Sequence, residues 1–121
     1  MKLQECYALF GGDFKEVLGR LASERLIEKF LLRFLSDHSY EDLCAAMAES
    51  DADTAFRMAH TLKGVCQNLG FTPLGDASAK LCDALRGGTI PTEAAELLSI
   101  VTEKYVKTAE AIRAYQAEKE V

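Results

Sequence analysis

Apolar side chains recur along this chain at intervals of three and four residues, the spacing that puts them on one face of a helix, and no stretch alternates as a half-buried strand does. Asp13–Leu21 reads as a short amphipathic helix. Ser23 is placed to cap a second helix carrying Leu26, Ile27, Phe30, Leu31, Phe34 and Leu35. Ser39, with Asp42 three residues on, resembles a capping box for a helix through Leu43, Ala46 and Met47. Asp51 or Ser50 caps the next helix, which runs to Leu69 and stops at Gly70, a residue suited to the left-handed position after a helix. A further helix begins near Thr72-Pro73, buries Leu74, Ala77, Leu81 and Leu85, and ends at Gly87-Gly88. The last and longest starts near Pro91 and keeps helical spacing through Leu97, Leu98, Val101, Tyr105, Ala109 and Ile112 to the charged tail Glu118-Lys119-Glu120. Both prolines, Pro73 and Pro91, fall where a first-turn proline is tolerated. Short connections favour antiparallel neighbours, so the expected fold is all-α: an up-down antiparallel four-helix bundle with one or two short additional N-terminal helices. With no internal repeat, low-complexity tract or linker, residues 1–121 are expected to form a single domain.

Size and charge narrow the function. At 121 residues and 13.3 kDa the chain has no room for a second, nucleotide-binding lobe, which argues against a complete ATP-dependent kinase. Hydrophobic residues at 49% and charged residues at 27% suit a globular domain with a core of its own. A net charge of −5 and a pI near 5.0 repel phosphate backbones and anionic membranes, so neither nucleic acid nor membrane is an expected partner. Cys6, Cys44, Cys66 and Cys82 form no C-x-x-C pair and read as small apolar fillers in a reducing compartment. No signal segment or membrane-spanning run is legible, and the expected location is cytoplasmic.

The segment Asp53–Gly70, DTAFRMAHTLKGVCQNLG, carries the candidate chemistry. With His60 at zero and roughly 100° per residue, Ala55, Met58, Ala59, Leu62, Val65, Cys66 and Leu69 fall in an arc of about 140° to 260°, the buried stripe. His60 lies opposite it, and Lys63, Gly64 and Gln67 fall on the same outward face, one or two turns on. Phe56 and Arg57 flank that face. No Ser or Cys with an orienting carboxylate is spaced to make His60 a hydrolase base. Arg57 stands where a bundle metal site places Glu, three residues before the histidine, so no metal ligand set is assigned. His38, in SDHSY, reads as a solvated helix-end residue. Phosphoryl transfer fits better: a neutral imidazole is a competent nucleophile near pH 7, and the charge it acquires wants a nearby cation, which Lys63 supplies. Gly64 removes a side chain beside the ring and lets another protein approach, at a cost of roughly 1 kcal/mol in helix propensity relative to alanine. On H-x-x-K-G alone, a chance surface histidine beside an ordinary lysine explains the pattern equally well.

The run AHTLKGVCQNLGF at 59–71, with Leu74, Ala77 and Leu81 after it and then Arg86-Gly87, resembles the histidine-containing phosphotransfer (HPt) domain, whose core is A-H-[ST]-L-K-G. LIEKFLLRFLSD at 26–37 and the stretch Leu43–Ala52 extend the likeness upstream, so that it covers roughly residues 13–113 in one register. The resemblance implies a four-helix bundle whose exposed histidine takes a phosphoryl group from the aspartyl phosphate of a response-regulator receiver and passes it to another receiver. His60 is then the phospho-acceptor, through Nε2, with Lys63 and Gly64 lining the site; Gln67 is added as a hydrogen-bond partner from helical geometry alone. Family members carry no nucleotide site or metal of their own, the receiver bringing the acidic pocket and its Mg²⁺, so no cofactor is expected here. A hybrid histidine kinase is a further possible partner. In the dimerising histidine kinases, whose H-box is the nearest confusable motif, an acidic residue and soon a proline follow the histidine; here Thr61, Leu62 and Lys63 follow. Cys82 departs from the family, standing where many members place Glu or Gln. Phe56 either packs between helices or joins an apolar docking patch, the latter favoured because docking surfaces pair an apolar centre with a polar rim. The competing reading is a non-phosphorylated helical module that binds a receiver or another signalling protein, and an enzyme with its own substrate ranks third.

Overall fold

The computed structural model describes residues 1–120, which fold into seven α-helices: α1 (Leu3–Phe10), α2 (Phe14–Leu21), α3 (Glu24–Arg33), α4 (Ser39–Ala48), α5 (Ala52–Leu69), α6 (Thr72–Leu85) and α7 (Ala94–Lys119). A 3₁₀ turn, Phe34–Ser36, follows α3, and no strand occurs among the described residues. Three helix starts are set by side-chain oxygens, two of them, at Ser23 and Asp51, where the sequence places caps. Asp13 accepts from the Glu16 N–H at 3.0 Å, Ser23 from Leu26 at 3.2 Å and Asp51 from Thr54 at 3.1 Å, each satisfying a donor that the first turn leaves without a backbone partner.

Contacts distant in sequence show how the helices pair. Gly75 lies against Cys66 near the turn between α5 and α6, while Arg86, just past the end of α6, lies over Phe56 near the start of α5, so the two helices are antiparallel. α7 runs antiparallel to α3, with Glu28 meeting Tyr115 and Lys119, and Phe34 of the following turn meeting Tyr105. It also runs antiparallel to α1, through Met1 to Glu118 and Cys6 to the Ala111 carbonyl. One contiguous core joins these layers. At its base Phe71 receives the edges of Phe10 and Phe34 at centroid distances of 5.2 and 5.1 Å, the edge-to-face geometry that aromatic quadrupoles favour.

Several local expectations are corrected. Ser39 is not a cap: His38 precedes α4 without a side-chain cap, and Asp37 accepts the Ser39 N–H at 2.8 Å while Ser39 itself is buried. The helix predicted through Leu35 tightens to 3₁₀ from Phe34 onward. Pro91 precedes α7 by three residues instead of occupying its first turn. His38 is exposed as expected but belongs to the start of α4, where Nδ1 meets Glu41 at 2.9 Å.

Candidate functional site

α5 is the helix on which the candidate chemistry sits, and both its ends are fixed. Asp51 caps the start, and at the other end Gly70 takes a left-handed conformation with φ 71°. Between them Ala55, Ala59, Leu62, Cys66 and Leu69 are buried, while Met58 and Val65, expected in the same stripe, are half-buried at its edges. The opposite face carries His60, and its side chain is exposed. Thr61 next to it is also exposed, its hydroxyl turned back to the Arg57 carbonyl at 2.9 Å, so it presents no free donor to a ligand at that position.

The two flanks of His60 differ. On the side facing α6, the Phe56 ring stands 6.2 Å from the imidazole, and the Arg86 guanidinium lies 5.5 Å from the centroid of that half-buried phenyl ring in a cation–π contact. Asp83 holds Arg86 in place at 2.9 Å, one turn back on α6. Beneath them Cys82 is fully buried, and burial pushes its thiol above the ordinary cysteine range. The charges of Lys63 and Arg86 act on that thiol in the opposite, weaker sense. Lys63 is half-buried.

The other flank is bare. A Cβ added at Gly64 would meet no neighbouring atom within 4 Å, whereas one added at Gly75 would press on Cys66 at 3.2 Å. Packing inside this chain therefore explains Gly75 and leaves Gly64 unexplained; what the glycine provides is a helix surface that another molecule can approach. Arg57, on this flank, is exposed and reaches back to the Thr54 hydroxyl at 3.2 Å. Gln67 is exposed two turns beyond His60, and its carbonyl accepts from Arg20 of α2 at 2.5 Å.

Of the residues singled out in the sequence, His60, Phe56 and Lys63 thus cluster against α6, Gly64 opens the surface beside them, and Arg57 and Gln67 lie toward the two ends of the face. The site residue that sequence reasoning missed is Arg86, noted there only within the run that carries the family resemblance and given no role. The signal was the antiparallel register: a turn at Gly70-Phe71 that sets residue 75 against 66 also brings 86 back to 56. Among the described residues no cluster of three or more His, Cys, Asp or Glu side chains has the arrangement of a metal site, and no helix is long and apolar enough to cross a membrane.

A family model, that of the Hpt domain, matches residues 26–116, from the first half of α3 to within four residues of the end of the described chain. No curated protein and no solved structure matches the sequence.

Proposed function

The chain belongs to the Hpt domain family, and from that premise we propose that it is a phosphorelay carrier that accepts a phosphoryl group on His60 from a receiver-domain aspartyl phosphate and returns it to a second receiver. In the forward step the Nε2 lone pair attacks phosphorus, the bond between phosphorus and the receiver's aspartyl oxygen breaks, and the carboxylate leaves with the electron pair. The proton on Nδ1 stays where it is, so no general base is needed. The partner brings the acidic pocket and its Mg²⁺. This chain contributes an accessible nucleophile, two cations for the growing negative charge, and a surface bare enough to dock. Response-regulator receivers are the partners, a hybrid histidine kinase is the upstream source in some arrangements, and the carrier works in the cytoplasm.

The observation that carries this reading is the asymmetric setting of His60: an exposed imidazole with Phe56 and the Arg86 guanidinium on one side, Lys63 one turn along the same helix, and open space over Gly64 on the other side. Lys63 and Arg86 balance the phosphoryl charge, Phe56 and Arg57 border the docking face, and Gln67 hydrogen-bonds at its far end. A docking module without chemistry has no need of an imidazole or of a glycine that costs helix propensity.

The test is transfer of labelled phosphate from a phosphorylated receiver. The label should reach this chain as an acid-labile, alkali-stable adduct and be absent from His60→Gln. Label that persists on the variant places the acceptor elsewhere, and receiver binding without transfer, surviving His60→Ala, favours a non-phosphorylated interaction module.

A further inference from the structure

A groove of about 370 Å³ opens between α2, α3 and α5, on the side of the acceptor helix away from α6. Its walls are Leu21, Phe30, Phe34, Val65 and Leu69, an aromatic and aliphatic lining in the size range, about 300–1,000 Å³, that small-molecule pockets occupy. At its edges the chain leaves α2 through Ala22 in a left-handed conformation and tightens to 3₁₀ after Arg33.

Charged groups stand at the mouth, and their commitments differ. Arg20 is engaged by Glu16 and by the Gln67 carbonyl. Asp37 gives an oxygen to the Ser39 N–H and is directed toward the start of α4. Arg33 has no carboxylate or hydrogen-bond partner among the described residues, and its guanidinium is held 5.5 Å over the Phe30 ring on the wall. Asn68 adds an exposed amide with no partner among the described residues. An apolar slot edged by a fixed, uncommitted cation complements one ligand chemistry: a flat apolar body with a single anionic head.

We propose that this groove binds a small anionic amphiphile, its body against Phe30, Phe34 and Val65 and its head on Arg33. The groove adjoins the face that carries Gly64 and Gln67, and its test uses no phosphoryl donor, so its failure and the failure of the carrier function are read separately.

The probe is 1-anilino-8-naphthalenesulfonate, titrated into the full chain alongside neutral 1-anilinonaphthalene. Fluorescence should saturate at one probe per chain, with backbone amide shifts confined to residues 20–37 and 65–69. Arg33→Ala should weaken the sulfonate at least about five-fold, the scale of one charge-assisted contact at a partly exposed site, and leave the neutral probe unchanged. Val65→Trp, which fills the slot, should abolish both. Emission that never saturates, shifts centred elsewhere, or equal sulfonate affinity in Arg33→Ala overturns the proposal. Because Arg33 is an exposed residue, that comparison stands even if Val65→Trp fails to fold.

Discussion

The middle of α5 and its C-terminal end lie on one rigid helix yet are built on opposite terms. Around His60 the side chains face water, Gly64 has open space above it, and the Gln67 amide points outward. Around Gly70 hardly a polar group is free. The Tyr7 hydroxyl donates to the Leu69 carbonyl at 2.7 Å, the Asp13 N–H to the Gly70 carbonyl at 2.8 Å, the Phe71 N–H to Cys66 at 2.9 Å, and Arg20 to Gln67. The last carbonyls of a helix have no partners within it, and here Tyr7, Asp13 and Arg20, all from the segment before α3 and outside the span matched by the family model, supply three of these donors, the Phe71 N–H being the fourth. The contrast teaches that exposure and anchoring are separable along one helix: the middle is left open by its own chain, and the C-terminal end is anchored, which on the proposed function holds the imidazole in place.

Two variants probe that division most strongly. His60→Gln should eliminate phosphorylation while shifting unfolding free energy by no more than about 0.5 kcal/mol, as exposed substitutions do. A large loss of stability would show that the ring is structural. Gly70→Ala should do the reverse. Alanine at φ 71° is strained, and its Cβ would stand 2.7 Å from the Asp13 carbonyl oxygen, where backbone must move. A loss of about 2–4 kcal/mol in denaturant unfolding is expected, with transfer by the folded fraction retained.

The next two effects sharpen the boundary. Tyr7→Phe removes the buried hydroxyl and strands the Leu69 carbonyl, which should cost about 1–3 kcal/mol without altering transfer per folded molecule. Lys63→Ala should leave the melting curve in place and slow transfer on the order of ten-fold, short of the larger effects seen where water is excluded, because the ammonium is only half-buried. If Lys63→Ala instead unfolds the protein, the lysine belongs with the anchor and not with the chemistry.

The same contrast explains what the sequence reveals. The face that carries His60 is legible because it depends on one helix: periodicity alone puts His60 outward, and Asp51 and Gly70 mark the ends by their own local chemistry. The cap at Ser23 is read for the same reason. The anchor is illegible because its partners are remote; Tyr7 and Leu69 are 62 residues apart, and nothing near either announces the bond. α1 has Lys2 at its cap, with the Glu5 carboxylate reaching back to the Lys2 N–H at 2.8 Å, so no Ser, Thr, Asp or Asn signals its start. Ser39 misleads because a neighbouring Asp37 competes for the same role and takes it. Arg86 requires the register of two helices before it can be assigned to His60 at all.

A smaller effect separates both ends of α5 from the rest of the bundle. Glu28 ties α3 to the end of α7 through Lys119 at 2.6 Å and the Tyr115 hydroxyl, and these hydrogen bonds hold its carboxyl below the usual range. A carboxyl with a depressed folded-state pKa contributes stability at and above its unfolded pKa, and loses that contribution as pH falls through the folded value. The ion pair is partly exposed, so its contribution near neutrality is under about 1 kcal/mol. Melting temperatures of the wild type and Glu28→Gln should therefore differ slightly at neutral pH and converge in acid, with transfer rates equal throughout. A gap that stays constant with pH would assign the loss to packing of the α3–α7 seam instead of to charge. A change in transfer rate would mean that the seam, as well as the Gly70 end, governs how α5 presents its imidazole.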